Sequence, residues 1–400
     1  MPFIKSVNSL LDLLDTPQPL KSLHSTVLLG VTSAHREAQV KIAQVSPLYE
    51  SVPPKMYGGT ERVVSFLTEE LVAQGHDVTL FASGDSQTSA KLISGSKTSL
   101  RLSKNSVDHL AHHIAMLDDV MRMAPEFDVI HFHIDYMHFP LSRYCALPSI
   151  TTLHGRLDLP DLIPVYKRYA DAPVISISMA QRKPLPRANW VANVHHGLPI
   201  DLLSFNPKAG DYLAFLGRIS PEKRVDRAIE IARRAGMHLK IAAKIDNVDR
   251  AYYESTIKPL MGDPNIEFIG EIGENEKSEF LGNAYAYLFP IDWPEPFGLT
   301  MIEAMACGTP TIAFNRGSVP EVMQEGLTGF IVDNMDQAVA AVEKIESIER
   351  TACRNVFEKR FTAAHMAERY LQVYQSMASD IRLATRATDI SDTPRSQAIA

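Results

Sequence analysis

Glu295 and Glu303 stand in the stretch Pro290-Ile-Asp-Trp-Pro-Glu-Pro-Phe-Gly-Leu-Thr-Met-Ile-Glu-Ala-Met-Ala-Cys-Gly-Thr-Pro310. Pro294 and Pro296 keep this loop extended and out of any helix. Gly298 lets the backbone approach a ligand closely. The apolar run after it predicts a helix over Leu299–Cys307. The free N–H groups and positive dipole end of such a helix form an anion site. Ionised carboxylates only accept hydrogen bonds, so two of them beside an anion site suit a ligand carrying both phosphate and hydroxyls. The bare pair also fits a general acid and base acting on a sugar. An ordinary loop followed by a helix with an exposed Glu is the plain alternative.

The stretch Gly217-Arg-Ile-Ser-Pro-Glu-Lys-Arg224 supplies the cations. Arg218 is placed at a strand end, and Lys223 is expected to open the next helix. Basic groups there neutralise a diphosphate and stabilise its charge as it leaves. With these cations present, the two glutamates read as positioning groups and no longer as an acid/base pair. Pro53-Pro-Lys-Met-Tyr-Gly-Gly-Thr-Glu-Arg62 places Gly58 and Gly59 before a helix, where backbone can meet a phosphate or sugar. The dinucleotide fingerprint Gly-x-Gly-x-x-Gly is absent from the sequence.

Histidines end several strands. His154, in Thr152-Leu-His-Gly155, could face a cleft or be structural. His131 and His133 alternate along a strand and share a face. They invite a metal reading, but no further ligand set accompanies them, and no metal is expected. His195-His196-Gly197 lies near a domain crossover and is equally ambiguous.

The elements that must position these residues alternate in type. Short apolar runs predict strands at 40–45, 77–82, 128–132, 149–153 and 173–177. A second series follows at 212–216, 239–243, 266–269, 286–289, 311–314 and 329–332. Helical periodicity fills several of the gaps, as at 60–74, 108–123 and 225–236. Alternation of this kind implies parallel sheets with helices on both faces. Residues 200–210 are the best linker. The expected organisation is an N-terminal extension over 1–40, with a short amphipathic helix at Ile4–Leu14, and a first Rossmann-like domain over 41–205. A second such domain spans 206–362, a helix over 363–380 follows, and a disordered tail covers 381–400.

The formal net charge is −7, with 45% hydrophobic and 22% charged residues. That balance is globular, and nothing in it points to whole-chain nucleic-acid binding. The three cysteines, Cys145, Cys307 and Cys353, show no metal-ligand spacing and fit a reducing compartment. Cys307 reads as a buried small residue. No run reaches the roughly 18 apolar residues that span a bilayer. Val27–Val31 is too short, and too far from the start, for a normal signal peptide.

Gly-Arg-x4-Lys at 217–223, then Glu295-x7-Glu303, then the Glu-Ala-Met-Ala-Cys-Gly-Thr-Pro that begins at Glu303 occur in that order, at and after strand ends. Over residues 41–380 the chain resembles the retaining GT-B glycosyltransferases of family 4, the group 1 glycosyltransferases. The resemblance implies an α/β fold of two Rossmann-like domains facing each other across a cleft. It implies a hexosyltransferase working with retention, without metal or cofactor, on a UDP- or GDP-linked sugar donor. The acceptor would be a glycan or a lipid-linked molecule, as in polysaccharide biosynthesis.

By resemblance, Arg218 and Lys223 bind the donor diphosphate. Glu295 contacts hydroxyls of the transferred sugar, and Glu303 holds the nucleotide ribose. The backbone of Phe297, Gly298 and Leu299 touches sugar and phosphate. Gly59 lies near the diphosphate, His154 near the transferred sugar, and Ile272 beside the base. Glu295, His154, Arg218 and Lys223 form the implied catalytic set. A cytoplasmic location is implied, and peripheral contact with the inner face of a membrane stays open. The sequence offers only the leucines near residue 11 and Arg182, Lys183 and Arg187 toward it. Nothing transfers onto 1–40 or the last twenty residues, the acceptor side has no mapped motif, and the oligomeric state is unassigned. An epimerase or phosphorylase on the same fold, and a non-catalytic nucleotide-sugar-binding partner, are the competing readings.

Overall fold

The computed structural model describes residues 39–55, 58–103, 106–144 and 148–391, with side chains through Met377. The expected helix at Ile4–Leu14 and most of the extension over 1–40 lie outside the described residues.

The first domain contains β1 (Lys41–Val45), α1 (Gly59–Ala73), β2 (Asp77–Ser83), β3 (Lys91–Ser96), α2 (His109–Met123), β4 (Val129–Phe132), α3 (Phe139–Ser142), β5 (Ser149–Thr152), α4 (Leu162–Arg168), β6 (Pro173–Ser176) and β7 (Asn189–Asn193). The second contains β8 (Tyr212–Arg218), α5 (Val225–Ala235), β9 (His238–Lys244), α6 (Arg250–Tyr252), β10 (Ile266–Gly270), α7 (Glu274–Gly282), β11 (Ala286–Phe289), α8 (Leu299–Ala306), β12 (Thr311–Phe314), α9 (Val319–Val322), β13 (Gly329–Val332), α10 (Met335–Lys344) and α11 (Arg350–Arg360). A last helix, α12, spans Ala363–Ser391.

The strands form a seven-stranded sheet, β3-β2-β1-β4-β5-β6-β7, and a six-stranded sheet, β10-β9-β8-β11-β12-β13. Neighbouring strands run parallel throughout. Helices cover both faces, so central strands such as β4, β11 and β12 are buried along their whole length. In both sheets the order reverses beside the first strand, at the carboxyl ends where open α/β sheets bind ligands.

β3 and β7 are edge strands outside the expected set. β3 reads Lys-Leu-Ile-Ser-Gly-Ser and β7 reads Asn-Trp-Val-Ala-Asn. Both are only partly buried, so neither needs the continuous apolar run that marks an interior strand.

The chain crosses between the domains twice at one point. Leu198 N–H donates to Phe361 O at 2.9 Å, and Ala363 N–H donates to Leu198 O at 2.7 Å. A Cβ on Gly197 would lie 2.1 Å from Thr362 O, so this contact requires glycine. Met366, Tyr370 and Tyr374 of α12 then pack with Ile42, Val63, Leu67 and Leu71, in the core of the first domain. The helix continues to Ser391, past residue 380, where a disordered tail was expected. Residues 378–391 hold three Ala and neither Gly nor Pro, so no strong helix breaker stands in them. The rest of the expected tail, 392–400, lies outside the described residues.

Candidate functional site

A cavity of about 530 Å³ opens between the two sets of carboxyl strand ends. Gly59, His154, Arg218, Lys223, Ile272, Glu295, Phe297, Gly298, Leu299 and Glu303 all line it. Residues expected from separate stretches of sequence thus meet in one place.

The loop after β11 carries Glu295 toward this cavity. Ser318 fastens it from below: its N–H donates to Glu295 O at 2.9 Å and its hydroxyl donates to Phe297 O at 2.8 Å. Phe297 is buried and lines the cavity. Gly298 caps α8 at φ +81, a left-handed conformation that favours glycine. Gly298→Ala is expected to cost about 1–2 kcal/mol of stability in a urea melt, from left-handed strain. Wild-type stability in that variant would show that the loop relaxes. A Cβ on Gly59 would reach Leu299 Cδ1 at 4.0 Å, so the Gly58-Gly59 turn faces the start of α8 from the other domain.

Glu295 is 8% exposed. It is ion-paired with Lys223 and accepts a hydrogen bond from Trp293 Nε1 at 2.9 Å. Lys223 Nζ also lies 5.1 Å from the Trp293 ring centroid. Lys223 does not open the helix as expected. It sits in the turn before α5, because Arg224 takes a left-handed conformation (φ 55) and helical geometry starts only at Val225. Arg218 ends β8 and pairs with Glu222, with Asp249 Oδ2 at 3.5 Å and Asp246 Oδ2 at 3.8 Å.

Glu303 is 1% exposed. Lys277 Nζ donates to its Oε1 at 2.6 Å, and Arg62 Nη1 lies 3.5 Å from the same oxygen. Burial alone would raise its pKa, but the Lys277 and Arg62 cations hold it below the usual carboxylate range. Its Oε2 is buried and has no hydrogen-bond partner among the described residues. One oxygen is therefore anchored and the other is unpartnered among the described residues.

His154 follows β5, and burial pushes its pKa down to about 3. Its ring stacks on His196 at 5.2 Å. His133 and Asp135, at the end of β4, also line the cavity. Asp135 has φ 51, and burial raises its carboxyl to about 6. His131 hydrogen-bonds to Tyr374 of α12 and His133 to Gln44 of β1, and among the described residues no group of three or more His, Cys, Asp or Glu is placed to hold a metal ion.

Sequence reasoning gave no role to Lys277, Arg62, Trp293, Asp135 or His196. Arg62, Trp293 and His196 stood inside stretches already singled out. Lys277 lies on α7 among charges that look like any solvated helix face.

The model for glycosyl transferases group 1 matches residues 204–361, and that for glycosyltransferase family 4 matches residues 57–215. The chain belongs to the group 1, family 4 glycosyltransferases. A GDP-mannose-dependent alpha-(1-6)-phosphatidylinositol dimannoside mannosyltransferase of Mycobacterium tuberculosis is 25% identical, over 88% of this chain and 100% of that one. AviGT4, a glycosyltransferase involved in avilamycin A biosynthesis, is similar in structure at TM-score 0.67 and 21% identity, over 85% of this chain and 98% of its own. Anabaena HepE, solved with UDP and glucose, matches at TM-score 0.67 and 16% identity, over 84% and 100%. The architecture of this family 4 glycosyltransferase is GT-B. No helix among its described residues is long and apolar enough to cross a membrane.

Proposed function

We propose that this glycosyltransferase moves a hexose from a UDP- or GDP-linked sugar to a glycan or lipid-linked acceptor, with retention of anomeric configuration and without metal or cofactor. The observation that carries the reading is one cavity lined by Arg218, Lys223, the start of α8 and the two glutamates. Cations and a helix N-terminus suit a diphosphate, and carboxylates suit hydroxyls. The relatives lend support: the M. tuberculosis protein is named for GDP-mannose and a phosphatidylinositol acceptor, and HepE was solved with UDP and glucose.

In this reading Arg218 and Lys223 hold the diphosphate against the first N–H groups of α8. Glu303 Oε2 accepts from the ribose, and Ile272 lies against the base. Glu295 and His154 take sugar hydroxyls, with Gly59 closing on the diphosphate. The acceptor hydroxyl attacks from the face the diphosphate leaves. The C–O bond to the diphosphate breaks as the new C–O bond forms, and a departing phosphate oxygen takes the hydroxyl proton. Positioning and stabilisation of the leaving charge then supply most of the rate. Glu295 is tied to Lys223 and Trp293, which fits a positioning group better than a general base. A cytoplasmic enzyme touching the inner face of a membrane suits a lipid-linked acceptor.

A panel of UDP- and GDP-sugars tests this reading through thermal stabilisation and through release of nucleoside diphosphate. At least one donor is expected to raise Tm and to be turned over. Stabilisation without transfer or hydrolysis of any donor would point to a binding protein and sink the assignment.

A further inference from the structure

His131 and His133, whose spacing first suggested a metal, lie in a buried chain of side chains running from α12 to the cavity. Gln44 Nε2 donates to Tyr374 Oη at 3.2 Å. Tyr374 Oη lies 2.7 Å from His131 Nδ1. His131 Nε2 in turn lies 2.7 Å from Thr152 Oγ1. On the other side, Gln44 Oε1 lies 2.7 Å from His133 Nε2. A carbonyl oxygen can only accept, so His133 Nε2 must donate. Burial keeps His131, His133 and His154 neutral, so each ring carries one proton. His133 Nδ1 is consequently an acceptor, and His154 Nε2, 2.9 Å away, donates to it. That leaves His154 Nδ1 bearing a lone pair. This atom is buried, belongs to a cavity-lining residue, and has no hydrogen-bond partner among the described residues.

We propose that Gln44 is a positioning residue that, through His133, fixes the tautomer of His154 so that Nδ1 accepts a hydrogen bond from a hydroxyl of the transferred sugar. Gln44 sits within β1, fully buried, and reaches the cavity only through His133. Its action on the site is carried by the direction of the chain, which low local dielectric strengthens. Two tautomers of a neutral imidazole are close in energy in water, and the bond made by one ring nitrogen decides the state of the other. A fixed acceptor orients the sugar hydroxyl proton before the sugar arrives, which lowers the reorganisation needed on binding. The Tyr374 link also ties this setting to the docking of α12 on the first domain.

The proposal rests on reading the cavity as a sugar-transfer site, and its test separates the two. Histidine side-chain ¹⁵N shifts are read on ligand-free protein, with His154→Gln used to assign the His154 signals. The expected result is an unprotonated Nδ1 and a protonated Nε2 on His154, with His133 in the same tautomer. Gln44→Met removes both ends of the amide. It is expected to give His154 a mixture of tautomers and to lower kcat/KM for transfer about fivefold to tenfold, the effect of one hydrogen bond. A protonated Nδ1 on His154 in the wild-type protein, or an unchanged tautomer in Gln44→Met, would overturn the relay. The wild-type shifts decide the point even if the variant fails to fold. The expected tautomers in a protein that turns over no donor would uphold the relay and reject the functional reading.

Discussion

Lys223→Ala is expected to lower kcat/KM for sugar transfer by about 100- to 1000-fold, the usual loss when one preorganised donor to a developing negative charge is removed. The Lys223 ammonium is ion-paired with Glu295 and lies 5.1 Å from the Trp293 ring centroid. Its position is therefore set before any ligand arrives. Charge on the diphosphate grows as the glycosidic bond breaks, so the loss should fall on kcat more than on donor binding. Arg218→Ala should act in the same direction. Arg218 starts from a different state, held among Glu222, Asp246 and Asp249. A diphosphate would have to draw it from these carboxylates, and part of its effect should therefore appear in KM. Steady-state kinetics with an accepted donor, beside unchanged circular dichroism, make the comparison. Activity within about threefold of wild type in both variants would remove these residues from the reaction.

Lys277→Met is expected to destabilise the protein by about 3 kcal/mol at neutral pH, near the lower end of what breaking a buried ion pair costs. Glu303 would remain buried, with Arg62 at 3.5 Å as its remaining partner in the pair network. Replacing Glu303 by Leu in the same chain should recover most of the loss, because the stranded charge is gone. That double variant would fold but bind donor poorly if Glu303 holds the ribose, which separates its structural part from its functional part.

The pH dependence has a definite sign. In the wild type the folded pKa of Glu303 is lowered. Its contribution is present above the unfolded carboxylate value, about 4.3, and is lost as pH falls through the lower folded value. In Lys277→Met burial dominates and raises that pKa, so the charged form is penalised. The deficit relative to wild type should be greatest at neutral pH and should shrink toward acid. Urea denaturation between neutral pH and pH 4 measures it, and a deficit that grows toward acid would contradict the pairing.

Much of the cavity lining was legible in sequence because each part is contiguous. Arg218 and Lys223 share one strand end, and Glu295 through Glu303 share another. Local rules for strand ends, glycine and helix starts therefore reach them. The partners that fix their ionisation were not legible. Lys277 meets Glu303 from a neighbouring helix, and Arg62 meets it from the other domain. The alternating strands and helices were readable wherever a strand is buried on both faces. They failed at β3 and β7, where an edge position relaxes the demand for apolar residues. The histidines were visible one by one. Their connection depends on Gln44 and Tyr374, 330 residues apart, and so on how α12 folds back.

On the proposed reading, the donor diphosphate lies between Arg218 and Lys223, at and just after the carboxyl end of β8, and the start of α8. A crystal structure with the UDP or GDP that best stabilises the protein tests it directly. The expected result places the phosphates within hydrogen-bond distance of Arg218, Lys223 and the backbone N–H groups at Gly298–Thr300, with the ribose on Glu303. A nucleotide bound elsewhere, or bound there with its phosphates turned away from Arg218 and Lys223, would contradict the account.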